Sequence, residues 1–66
     1  MSVLKVVEIL AESDKSWEDA SRNGIAKASE TIKNIQSAYV REQSVTVADG
    51  GVKMFRVNLK VTFKVS

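Results

Sequence analysis

Hydrophobic and polar residues divide this chain into strand-like and helix-like stretches. The clearest is Val52–Val65, where Phe55, Val57, Leu59, Val61, Phe63 and Val65 alternate with Met54, Arg56, Asn58, Lys60, Thr62 and Lys64. Side chains of a strand point to opposite faces in turn, so this alternation predicts a long strand with one core face and one polar face. Ala38–Ala48 is strand-like too, but its apolar residues change parity from Ala38 and Val40 to Val45 and Val47. One extra residue restores such a mismatch, which predicts a bulge near Glu42–Ser44. Asp49-Gly50-Gly51 lies between the two stretches and tolerates positive φ angles, so the strands are expected to form a hairpin. Val3–Leu10 is dense in Val, Leu and Ile and is interrupted only by Lys5 and Glu8. Apolar residues on both parities predict a strand covered on both sides.

The region between the first two strands carries a different period. After a polar connection, Ala11–Lys15, Ser16 is placed to cap a helix, with Glu18 and Asp19 at its positive end. Asp19 takes the third position of a capping box. Ile25, Ala28, Ile32 and Ile35 fall on one helical stripe, and Ala20 and Gly24 add small residues that allow close approach to a sheet. Arg22, Asn23, Lys27, Glu30 and Lys33 make the opposite face. The spacing predicts a helix over Trp17–Ile35. The fold class is therefore α+β, with element order β-α-β-β and a single domain spanning residues 1–66.

These dimensions do not match. The last strand would span roughly 46 Å at about 3.3 Å per residue, whereas the helix covers only about 28 Å at ~1.5 Å per residue. One helix leaves part of the apolar hairpin face bare, and a bare apolar face points to an interface.

Composition narrows the chemistry. A chain of 66 residues buries a limited core and usually needs disulfides, metals or self-association. It has no cysteine and no histidine, which removes disulfides, thiolate metal sites, the usual zinc ligand and the usual general base. A nucleophile–base pair and a Gly-rich phosphate loop are missing as well, so no enzyme activity is expected. Ten Lys/Arg against eight Asp/Glu give a formal charge of +2, with the signs interleaved. That balance does not favour nucleic acid, and no apolar run reaches membrane-span length. The start of the chain lacks the pattern of a signal peptide, and a cytoplasmic location is expected.

Ser13, Ser16-Trp17-Glu18-Asp19-Ala20, Thr31-Ile32-Lys33-Asn34-Ile35, Val40, Glu42-Gln43, Asp49-Gly50 and Val57-Asn58-Leu59-Lys60-Val61-Thr62-Phe63 follow one another in this order. Together they resemble dodecins almost end to end. The resemblance implies a three-stranded antiparallel sheet wrapped on one helix, and a hollow homododecamer of tetrahedral symmetry. Many dodecins bind flavins in pairs at subunit interfaces. A tryptophan after the helix stacks on the ring, and a glutamine in the last strand bonds its polar edge. Here those positions hold Ser37 and Arg56. Serine offers no ring to stack on, and arginine lacks the donor–acceptor pair of an amide. Flavin is therefore not the expected cofactor, and the combination resembles the branch called calcium dodecin.

By that resemblance, Ser37, Gln43 and Arg56 line the ligand pocket. The plainer expectation is a filled or salt-bridged interface, with Arg56 paired to Glu42 or holding an anion. Trp17 is expected to pack over the sheet end or an adjacent subunit. Calcium needs several oxygens, and Glu12, Asp14, Glu18 and Asp19 are its candidate ligands, with Asp49 weaker and other subunits completing the site. The expected partners are other copies of the chain and a small ligand or ion. The expected function is a shell that binds or buffers that ligand. The alternatives are flavin storage in an altered pocket and a purely structural assembly.

Overall fold

Residues 2–66 are described by the structure, a computed structural model. Four elements follow in order: β1 (Leu4–Ser13), α1 (Trp17–Ala28), β2 (Ile35–Ala48) and β3 (Gly51–Lys64). The sheet is antiparallel throughout, in the order β1-β3-β2, so β3 is central and the other two strands are its edges. The alternation along β3 explains this placement. Its odd-numbered side chains face α1, where Val57, Leu59 and Val61 are buried, while Arg56, Asn58, Lys60 and Thr62 face away. Val7, Ile9, Ala11, Ile25 and Ile35 pack around that centre with Ala20 and Trp17.

The helix start follows the sequence. Ser16 is the N-cap and its hydroxyl accepts from the Asp19 N–H at 2.9 Å. Ser13, buried, donates to the Asp19 carboxylate at 2.6 Å and accepts from the Lys15 N–H, which pins the helix entry to the end of β1. Gly24 sits where the helix touches the sheet. A Cβ there would lie 2.9 Å from Ala11 Cβ and 3.3 Å from Leu59 Cδ1, so the close approach requires glycine.

The helix end differs from the sequence reading: α1 stops at Ala28, not at Ile35. The chain tightens there, with the Glu30 and Thr31 amides bonding three residues back to Lys27 and Ala28. The Ser29 hydroxyl takes the Ile25 carbonyl, and Asn34 then adopts φ 61°, which no helix permits. Ile35 continues the apolar spacing but opens β2, opposite Phe63. β1 also runs further than expected, to Ser13, so Glu12 belongs to a strand and not to a loop.

The hairpin turn has positive φ at both Asp49 (53°) and Gly50 (78°), the signature of a tight two-residue turn. The bulge comes slightly earlier than expected. Registers Val40↔Leu59 and Glu42↔Asn58 leave Arg41 as the extra residue, and a further shift between Ile35 and Ser37 leaves Gln36. The shortened helix deepens the length mismatch. It spans about 18 Å at ~1.5 Å per residue, against a longest molecular dimension of 51 Å.

Candidate functional site

Two surfaces of the sheet remain without a covering element. On the helix side, α1 packs mainly on β1 and β3, leaving Val40, Val45 and Val47 of β2 exposed beside it. A groove between Ile25 and Ala26 of the helix and Ala38 and Val40 of β2 runs along this side. The other surface is the open face, away from the helix. Register pairing assigns residues to it directly, because paired residues of an antiparallel ladder share a face. Rows across the sheet read Val6–Thr62–Ser37, Glu8–Lys60–Tyr39, Leu10–Asn58–Glu42 and Glu12–Arg56–Ser44.

The three pocket residues expected from sequence do not meet within one chain. Ser37 lies opposite Thr62, and Arg56 lies six residues away along β3. That separation is about 20 Å at ~3.3 Å per residue. Gln43 is opposite the buried Val57, so it is an exposed residue of the helix-side face and points away from Arg56. Any single pocket containing all three is shared between copies of the chain.

Arg56 pairs with Glu12 and not with Glu42. Its Nη2 lies 3.1 Å from Glu12 Oε2, because β1 sets Glu12 directly opposite it. Glu42 stands opposite Asn58, two residues further along, and its carboxylate lies 4.0 Å from Arg41 Nε. Arg41 instead makes the longest reach on this face. Its Nη1 contacts both Glu8 oxygens, at 2.7 and 3.1 Å, joining β2 to β1 over the central strand. Its hydrogen bond to Glu8, then the Glu8 and Glu42 charges, raise the Arg41 pKa above its ordinary value. Any stability from this shift is present below the ordinary arginine pKa and lost as pH rises through the raised one, so Arg41 stays charged across the neutral range.

Two polar atoms under this layer, Arg56 Nε and Asn58 Oδ1, are buried with no hydrogen-bond partner among the described residues. Sequence reasoning missed Glu8, Arg41 and Asn58. The parity switch in β2 was the available signal for Arg41, since bulges re-aim side chains.

The candidate calcium ligands are dispersed. Glu12 is held by Arg56, and Glu18 by Arg22 at 2.9 Å. Asp19 accepts from Ser13 and from Asn23 Nδ2 at 3.1 Å. Asp14 and Asp49 are exposed. Among the described residues no three metal-ligating side chains come together. Calcium takes about six to eight oxygens, which one chain does not assemble. Trp17 lies over the sheet end, edge-on to Phe55 with ring centres 5.1 Å apart, and donates its indole N–H to the Ser44 carbonyl. No helix is long and apolar enough to cross a membrane among the described residues.

Comparison with known proteins brings one group forward. The family model described as Dodecin matches residues 3–66. Calcium dodecin of Mycobacterium tuberculosis is 38% identical over 64 residues, covering 97% of this chain and 90% of that protein. Dodecin of Thermus thermophilus is 32% identical over 62 residues, covering 94% and 90%. Among solved structures, dodecin from Streptomyces davaonensis superposes with a TM-score of 0.93 at 31% identity, over 98% of this chain and 96% of that one. The crystal structure of the M. tuberculosis calcium dodecin, described as calcium-chelating with a novel calcium-binding site, gives 0.86 at 35% identity, over 98% and 93%.

Proposed function

The chain belongs to the dodecin family, and from that premise we propose that it is a subunit of a hollow homododecameric shell that binds or buffers a small ligand or ion, calcium and not flavin. The sheet that outruns its helix carries the assembly half of this reading. Val40, Val45, Val47 and Val52 are exposed on strands too long for α1 to cover, and a second copy is the economical cover for such a surface.

The ligand half rests on what the open face offers. Ser37 has no ring to stack on, and Arg56 is occupied by Glu12. The similarity to a calcium dodecin favours calcium. Carboxylates scattered within one chain become a cage only where copies meet, so Glu12, Asp14, Glu18 and Asp19 serve as ligands in combination with their symmetry mates. Function on this reading is binding, without bond-making chemistry.

Gel filtration combined with thermal melting tests both halves. The protein should elute as a closed oligomer, and calcium should raise its Tm relative to a chelator-treated sample at the same protein concentration. A stable monomer overturns the shell. An oligomer with no heat of calcium binding and no Tm shift overturns the ion. Flavin absorption that survives desalting overturns the preference for calcium.

A further inference from the structure

Two dipeptides in this chain share a reactivity, because a glycine after Asn or Asp leaves its backbone nitrogen unhindered for attack on the preceding side chain. They are Asn23-Gly24 and Asp49-Gly50. In an unfolded chain the asparagine pair is the faster, since a carboxylate resists attack more strongly than a neutral amide. The fold reverses that order.

Asn23-Gly24 is locked. Gly24 lies inside α1, so its N–H is committed to the carbonyl four residues back. Asn23 Nδ2 donates to Asp19 Oδ2 at 3.1 Å, which holds the side-chain amide along the helix. The space beneath is closed too, with Ala11 Cβ only 2.9 Å from where a Cβ on Gly24 would stand. Ring closure there requires the helix to come apart.

Asp49-Gly50 is open on every count. Ala48 and Gly51 are ladder partners, and the Gly50 N–H donates to no backbone carbonyl among the described residues. Nothing lies within 4 Å of a Cβ placed on Gly50 or Gly51, which leaves room for a ring and for water. The Asp49 side chain is exposed and enters no ion pair among the described residues. Its φ of 53° is left-handed, which an L-residue adopts at a cost. The turn also tips a two-stranded ribbon. β1 ends at Ser13 opposite Phe55, so beyond that point β2 and β3 pair only with each other. A lone hairpin is marginal in water, so this tip can open without disturbing the core.

We propose that Asp49-Gly50 is a self-modification site at which the backbone isomerises through a succinimide, and that the product opens the hairpin tip. The Gly50 nitrogen gives up its proton and attacks Asp49 Cγ. The N–Cγ bond forms and a carboxyl oxygen leaves as water. Water then returns at either ring carbonyl. At Cγ it restores aspartate. At the main-chain carbonyl it breaks the bond to the Gly50 nitrogen, so the backbone runs through Asp49 Cβ and Cγ and the old carbonyl becomes a carboxylate. One water leaves and one enters, and nothing is oxidised or reduced. The added methylene is incompatible with a two-residue turn whose φ angles are both fixed positive.

The test compares protein aged folded, at neutral pH below its Tm, with protein aged in denaturant. Trypsin releases both sites, in peptides 42–53 and 23–27. Isoaspartate at Asp49 is read by resistance to a protease that cuts before aspartate, and deamidation of Asn23 by mass. In folded protein Asp49 should change first. Denaturation should speed Asn23 by about a hundredfold or more, because α1 opens only with most of the fold, and Asp49 by less than about tenfold. Equal protection of the two, or Asn23 leading in folded protein, overturns the site. The isomerised and unaltered forms of peptide 42–53 separate by chromatography after hydrogen exchange of the aged protein. The isomerised form should carry faster exchange at residues 45–48 and 51–53. Identical exchange in the two forms overturns the opened tip.

Discussion

The two faces of β3 are built on opposite principles. On one, Val57, Leu59 and Val61 are sealed beneath a helix that approaches so closely that Gly24 has no room for a methyl group. On the other, Arg56, Asn58 and Lys60 lie among charged side chains, and two polar atoms have no partner among the described residues. The covered face is determined by shape, where every atom has a neighbour and small volume changes are felt. The open face is determined by charge pairing in contact with solvent, where individual contacts contribute little. The lesson is a division of labour within one strand. Packing stability resides on the side the helix covers, and the side it does not is held by exposed polar pairs.

Substitutions can break or sharpen that contrast. Leu59→Ala should have the largest effect, about 2–5 kcal/mol, because it removes a core side chain and leaves a cavity. Chemical denaturation measures it, and a loss below about 1 kcal/mol would mean that the core relaxes freely, against the close packing of interiors. Gly24→Ala comes next, at about 1–3 kcal/mol for overpacking. Its new methyl would press on Ala11 Cβ, part of a strand, and not on the movable tip of a long side chain. If it instead stabilises, helix propensity outweighs the clash and the close approach is not required.

The smallest effect belongs to the open face. A double-mutant cycle on Glu12 and Arg56 should return a coupling of about 0–1 kcal/mol, as for a solvent-exposed pair. A coupling above ~2 kcal/mol would mean that the pair is desolvated in solution, which moves the boundary between the two faces.

How much of this could be read beforehand follows the same contrast. The alternation from Phe55 to Val65 specified the covered face, because a period of two with one apolar side has a single structural meaning. The cap at Ser16 and the Asp49-Gly50 turn were legible for equally local reasons. The helix end was not. Ile32 and Ile35 continue the helical spacing, although Ile35 answers to Phe63 across the sheet. The parity switch announced a bulge in β2 but placed it near Glu42–Ser44, and the structure puts it at Arg41.

Most of the candidate site was illegible. β1 is apolar on both parities, so its sequence carries no register signal, and Glu12 could not be assigned to Arg56. The unpaired Arg56 Nε and Asn58 Oδ1 depend on how several long side chains lie over one another. No local pattern encodes that.

The bulges in β2 have a consequence for the isolated chain. A flat strand edge is a template on which further chains can add without limit, and extra residues that kink the edge spoil the template. β2 is interrupted at Gln36 and Arg41, so it is a poor surface for fibrous growth. β1 is the other edge, and its register runs unbroken from Leu4↔Lys64 to Ser13↔Phe55. Runaway polymerisation of a newly made chain would start there, with Lys5, Glu8 and Glu12 as its charged gatekeepers.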